Sequence, residues 1–213
     1  MNQKKNLHVR VPTNVVRNTN VQIGNGEFQL YVRLCYLYFK NYGNEEITVD
    51  HKKLMKNLAI SDTRTLKKRL NNLFKSKLIK NNVEKLPRKG RITIEFNSDM
   101  LSSEHFTQMN LKIFEYIDKI DEHAFRLLFY YKSHINKDDK ERDRSFCYVG
   151  FDTLSNNLKI SSKTISNANE ILKKEKLIKV EKHNLGTDYQ YGEDNELIYD
   201  RYNNHYRVNN EMF

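Results

Sequence analysis

The sequence predicts a mainly α-helical α+β chain with small β-hairpins, built as two tandem units. Three observations carry this. Residues 54–80 (LMKNLAISDTRTLKKRLNNLFKSKLIK) are written a second time as residues 154–179 (LSNNLKISSKTISNANEILKKEKLIK). Leu54, Leu58, Ile60 and Ser61 recur as Leu154, Leu158, Ile160 and Ser161. After a one-residue deletion, Thr65, Leu66, Leu73, Leu78 and Ile79 recur as Thr164, Ile165, Leu172, Leu177 and Ile178. Inside each copy the apolar residues have helical spacing, and downstream of the first copy residues 91–96 alternate apolar and polar with the period of a half-buried strand.

Each copy reads as helix, turn, helix. Leu54 and Leu58 mark one face of a short helix that Asp50 can cap, and Ile60 plugs the angle before the next helix. Ser61 or Asp62 can accept from that helix's free N–H groups. Over residues 63–76, Leu66, Leu70, Leu73 and Phe74 form the inward stripe. The opposite face carries Arg64, Lys68, Asn71, Asn72 and Lys75, with Thr65 and Lys67 beside them, which are donors for phosphates and base edges. Residues 78–84 and 91–96 are expected to pair as a hairpin whose tip holds Arg88, Lys89 and Arg91. In the second copy Ile165 and Leu172 point inward, and Lys163, Asn167, Glu170 and Lys174 point outward.

Helix, turn, helix and a hairpin with a basic tip describe a winged helix. On L-x3-L-x-I-S-x(2,3)-T-[LI] and on K-L-I-K ahead of the hairpin, the chain resembles the tandem winged-helix replication initiators of plasmids and phages. It also resembles the amino-terminal domains of DnaD-type primosomal proteins. The resemblance implies sequence-specific binding of double-stranded DNA at origin repeats, host replication proteins as partners, and a homodimer. Two other functions fit the same pattern: a phage or plasmid transcription regulator, and a winged-helix protein-interaction scaffold.

Taken in order, residues 1–10 are polar and basic, read as a frayed terminus or else as a DNA-tracking arm, and Val9–Pro12 is an extended segment expected to pack on the first unit. A long helix follows over residues 27–42, with Phe28, Tyr31, Leu34, Cys35, Tyr38 and Phe39 on one side. Residues 47–49 are a short strand. The first unit spans residues 1–100, and residues 98–109 connect it to the second, residues 101–213. There a helix runs to Lys132 with Phe125, Leu128 and Phe129 inward, and Tyr130 and Tyr131 are read as core. Residues 136–145 form a charged solvated loop, residues 146–149 a short strand, and Asp152 and Thr153 cap the helix at Leu154. The second hairpin, residues 180–208, is long and tyrosine-rich, and its centre is acidic through Glu193, Asp194 and Glu196. An acidic tip repels phosphates and suits a protein surface.

Charge separates the two units. Residues 1–100 hold 20 Lys and Arg against 8 Asp and Glu, whereas residues 101–213 hold 17 against 19. The excess of +10 therefore belongs to the first unit, where a polyanion is expected to dock. Cys35 and Cys147 lack CxxC spacing and are expected as buried thiols. The seven histidines include no HxH pair, and phosphate-loop, HExxH and zinc-cysteine patterns are absent from the sequence. No catalytic residue, metal or cofactor is assigned. Without a run of about 18 apolar residues or an apolar leader, a cytoplasmic protein with no membrane partner is expected.

Overall fold

The computed structural model describes residues 7–101, 105–137, 139, 144–186 and 201–213. In chain order these form β1 (His8–Pro12), α1 (Thr13–Arg17), α2 (Asn25–Lys40), β2 (Glu46–Asp50), α3 (His51–Lys56), α4 (Thr63–Lys75), β3 (Arg91–Glu95) and β4 (Phe106–Asn110). Then come α5 (Glu122–Ser133), α6 (Phe151–Leu158), α7 (Ser162–Lys174), β5 (Ile178–Gly186) and β6 (Arg201–Val208), with short 3-10 segments at Ser98–Leu101, Leu111–Tyr116 and Asn210–Met212. The architecture is α+β, with antiparallel strand pairs β1–β4, β2–β3 and β5–β6.

The sequence repeat is visible bond by bond. Ala59 and Lys159 take left-handed backbone angles (φ 50° and 55°) after the shorter helices, as Lys77 and Lys176 do (58° and 57°) after α4 and α7. The Leu78 and Leu177 amides then close each helix end by donating to Leu73 and Leu172. Ile79 bridges Phe96, and Ile178 pairs with Val208; Ile47 pairs with Ile94, and Cys147 bridges Tyr206. The correspondence runs past the hairpins. Asn97 donates its side-chain amide to the Lys77 carbonyl at 2.7 Å, and Asn209 does the same to Lys176 at 2.9 Å.

The halves are also related in space. The Thr13 amide donates to His105 and the Leu111 amide to Leu7, at 3.0 and 2.9 Å. In the β1–β4 ladder Val9 faces Met109, Val11 faces Thr107, and Arg10 faces Gln108 between them. Each strand leads directly into a short helix, so β1 and β4 are equivalent, and an antiparallel pair of equivalents implies a local twofold axis near Arg10 and Gln108. Across it α2 packs on α5, with Phe28 edge-on to both Phe125 and Phe129 (centroids 6.2 and 5.4 Å). A buried cluster runs through both halves.

Arg126 of α5 is the main departure from this symmetry. It is fully buried and forms no direct ion pair among the described residues, with Glu27 acting on it only at longer range, and its guanidinium donates to the carbonyls of Val15, Val16 and Ile23 and to Asn18 Oδ1. Its face lies 4.5 Å from the Phe28 centroid. Desolvation pushes its pKa down to about 9. Arg126 thus brings donors from the other unit to carbonyls at the end of α1 and in its following turn, of which Val15 also accepts from the Asn18 amide at 3.3 Å.

Several expectations are corrected. Val9–Pro12 does not pack on the first unit alone; it pairs with β4, inside the stretch expected to be a connector. The first hairpin lacks a regular outgoing strand, because β3 pairs with β2 and residues 78–84 contribute the single bridge at Ile79. Beyond it the Asn81 side chain stands in for backbone, donating to Thr93 and accepting from the Glu95 amide. Phe74 is 37% exposed, since the stripe that Leu66, Leu70 and Leu73 fill completely leaves it at the edge. Helix α6 starts at Phe151 behind Gly150, ahead of the expected Asp152–Thr153 cap. Tyr130, Tyr131, Cys35 and Cys147 are buried, and both thiols are free. The basic residues up to Asn6, half of the charged loop and the acidic centre of the second hairpin lie outside the described residues. Among the described residues no helix is long and apolar enough to cross a membrane.

Candidate nucleic-acid interface

Helix α4 is set by its two ends and one stripe. Asp62 accepts from the Arg64 amide at 2.8 Å, satisfying a free donor of the first turn and fixing where the helix begins. Leu66, Leu70 and Leu73 are completely buried, each contributing roughly 1.5–3 kcal/mol by leaving water. With that stripe inward, Arg64, Lys67, Lys68 and Lys75 are exposed, and Asn71 is half-buried. None of these four cations has an ion-pair partner among the described residues.

The flank of α4 that turns toward α2 and α5 has a different use. The Asn72 amide donates to Glu27 Oε1 at 2.7 Å, so it is held against α2 rather than presented outward. Thr65 on the same flank is half-buried. Arg69, which the sequence reading did not single out, forms an ion pair with Glu122 at the start of α5. A Cβ placed on Gly26 would meet the Arg69 guanidinium at 2.4 Å, so any larger residue there must push that side chain aside. The two contacts fix α4 against both units and leave its far side free.

Arg88, Lys89 and Arg91 are all exposed. Val83 is buried and Leu86 half-buried, which pins the segment between Asn81 and β3 onto the first unit. Gly90, at φ +111° with open space around it, makes the final turn. The start of α3, the start of α4 and this pinned segment enclose a groove of about 770 Å³ that includes Arg64, Lys67 and Arg88. The structure thus brings two helix residues and one hairpin residue to a single site. Lys52 and Lys85 add cations there that the sequence reading missed, and Glu84 adds one carboxylate. The legible signals were the position of Lys52 after the cap Asp50 and of Lys85 just before Leu86 and Pro87. Lys68 and Lys75 stand on the outer face of α4 beyond the groove lining.

On α7, Ser161 accepts from the Thr164 amide at 3.1 Å, and Lys163, Asn167 and Lys174 are exposed. Glu170 occupies the position equivalent to Asn71 and pairs with Lys173 at 2.6 Å. Inside, Asn169 replaces Leu70 of the first copy and accepts from the Tyr131 hydroxyl at 2.8 Å, so a buried polar pair replaces an apolar one. Among the described residues, no group of three or more His, Cys, Asp or Glu side chains is placed to hold a metal ion. No protein-family model and no curated protein matches this chain.

Proposed function

We propose that the two units are winged helices and that the chain is a sequence-specific double-stranded DNA-binding protein. The first unit is the principal reader, and no catalytic role is assigned. The observation that carries this reading is the exposed, unpaired cationic face of α4 joined through one groove to the Arg88 segment. A helix of 13 residues is about 20 Å long and fits a major groove by its exposed side. Arg64, at the exposed start of α4, is assigned to guanine and Asn71 to adenine. Lys67, Lys68 and Lys75 hold phosphates, and Arg88, Lys89 and Arg91 reach the adjacent minor groove or its backbone.

The local twofold axis supports a subsidiary role for α7, which is displayed as the symmetry mate of α4 with a weaker positive face. Replication initiation at repeated sites, with host replication proteins and a homodimer as partners, follows from the family resemblance and is proposed on that basis. Footprinting on DNA flanking the gene tests it. Protection of several direct repeats supports initiation, and protection of one operator beside a promoter supports transcription regulation instead.

The DNA reading itself is tested by titrating duplexes across a salt series. Binding is expected to weaken with a log–log slope of about −0.9 per phosphate contacted. Replacing Lys67 and Lys68 with alanine is expected to make that slope shallower by roughly 2. No binding at low salt would remove DNA from the account and favour a protein-interaction scaffold.

A further inference from the structure

We propose that a cavity in the second unit, between α5, β4 and Phe213, binds a small oxyanion through Lys132 and Lys137. The cavity is about 470 Å³ and is lined by Lys132, Lys137, Phe106, Gln108, Asn136 and Phe213 among others, and among the described residues no lining side chain is acidic. A volume of that size suits a small ligand. Lys132 is only 8% exposed, yet neither it nor Lys137 has an ion-pair partner among the described residues. Their ammonium nitrogens lie 3.1 and 3.4 Å from the Phe213 ring centroid, and Lys137 also reaches Asn210 Oδ1 at 2.5 Å. Two like charges are therefore gathered on one ring at the edge of an open cavity. Burial, with Lys137 adding to it, lowers the Lys132 pKa to about 7.

The internal repeat shows that the fold does not demand this. Counted from the N-caps of α2 and α5, Gly24 and Asp121, so that Phe28 matches Phe125, the first unit has Cys35 in place of Lys132; counted from Asn97 and Asn209 it has Leu101 in place of Phe213, a buried thiol and an aliphatic side chain. A desolvated amine where a thiol would pack is a cost to stability unless an anion completes it. A carboxylate or a phosphate supplies that chemistry. Binding takes the charged amine, so affinity is expected to fall as pH rises above about 7.

The proposal does not rest on the DNA reading, and its test separates the two. Thermal unfolding of the full chain is followed with millimolar inorganic phosphate or acetate against chloride at matched ionic strength. One of the two anions is expected to raise Tm, and the stronger identifies the source as phosphate or carboxylate. Lys132→Met is expected to abolish the response while raising Tm without anion, and Lys137→Met, at an exposed position, to weaken it several-fold. Arg64→Ala is expected to leave the response intact. No response to either anion, or an undiminished response in both lysine variants, overturns the proposal.

Discussion

Helices α4 and α7 occupy equivalent places in one repeat, yet their outer faces differ. Arg64, Lys67, Lys68, Asn71 and Lys75 of α4 correspond to Lys163, Ser166, Asn167, Glu170 and Lys174 of α7. Two lysines have become neutral, and an amide has become a carboxylate that engages Lys173. The inner faces changed as well, but in compensated pairs, as with Asn169 and Tyr131. Packing constrains both copies to the same helix, while charge on the solvent side is free to diverge. Divergence on that side is what the proposed division of labour requires, with the first unit offered to a polyanion and the second to a different partner.

The largest test of this asymmetry lies where the halves meet. Arg126→Met is expected to destabilise the chain by about 3–5 kcal/mol, because the carbonyls of Val15, Val16 and Ile23 would lose their buried partner. Gln29, its equivalent on α2, is also buried, and Gln29→Met is expected to cost much less when both variants are unfolded in urea. Equal losses would mean that the interface is as symmetric as its backbone.

A smaller effect is expected at the DNA face. Arg64→Ala should forfeit about 1–3 kcal/mol of discrimination between cognate and scrambled duplexes, whereas Lys163→Ala should change that ratio little. Equal effects would make the second unit a full reader, and an unchanged ratio for Arg64→Ala would remove it from base recognition. Gly26→Ala comes next, at about 1 kcal/mol of stability, since the new methyl must displace the Arg69 guanidinium from beside Glu122. Preserved stability together with loosened DNA binding would sharpen the view that this contact orients α4.

The weakest expected effect is the acid sensitivity that His134 gives the second unit. Desolvation, helped by Arg17, lowers the His134 pKa from 6.5 to about 4. The unfolded chain therefore binds the proton more readily, and the stability that His134 contributes is present above pH 6.5 and lost as pH falls toward 4. The first unit has Leu37 at this place. Unfolding midpoints of His134→Leu are expected to vary less than those of the parent chain over that window, and identical pH profiles would dismiss the idea.

The repeat made much of this legible. Leu66, Leu70 and Leu73, the Asp50 and Asp62 caps and the β2–β3 alternation follow from local periodicity and hydrogen-bonding capacity, which act over a few residues. Lys67, Lys68 and Lys75 could be placed outward because fixing the stripe fixes the opposite face. Phe74 was misjudged because a helical stripe has an edge, and the neighbours that decide what covers it come from elsewhere in the chain. Asn72 and Arg69 were not legible as clamps, since Glu27 and Glu122 lie 45 and 53 residues away.

By itself, then, the sequence determined the longer helices, the Asp50 and Asp62 caps, the duplication and the concentration of positive charge in residues 1–100. These depend on neighbours along the chain and on composition. Only the tertiary structure decided that β1 pairs with β4 about a local twofold axis and that Arg126 satisfies carbonyls from the other half. It alone gathered Lys132 and Lys137 on Phe213. Each of those contacts joins residues far apart in sequence, and their pairing is selected by burial and by the requirement that buried polar groups find partners.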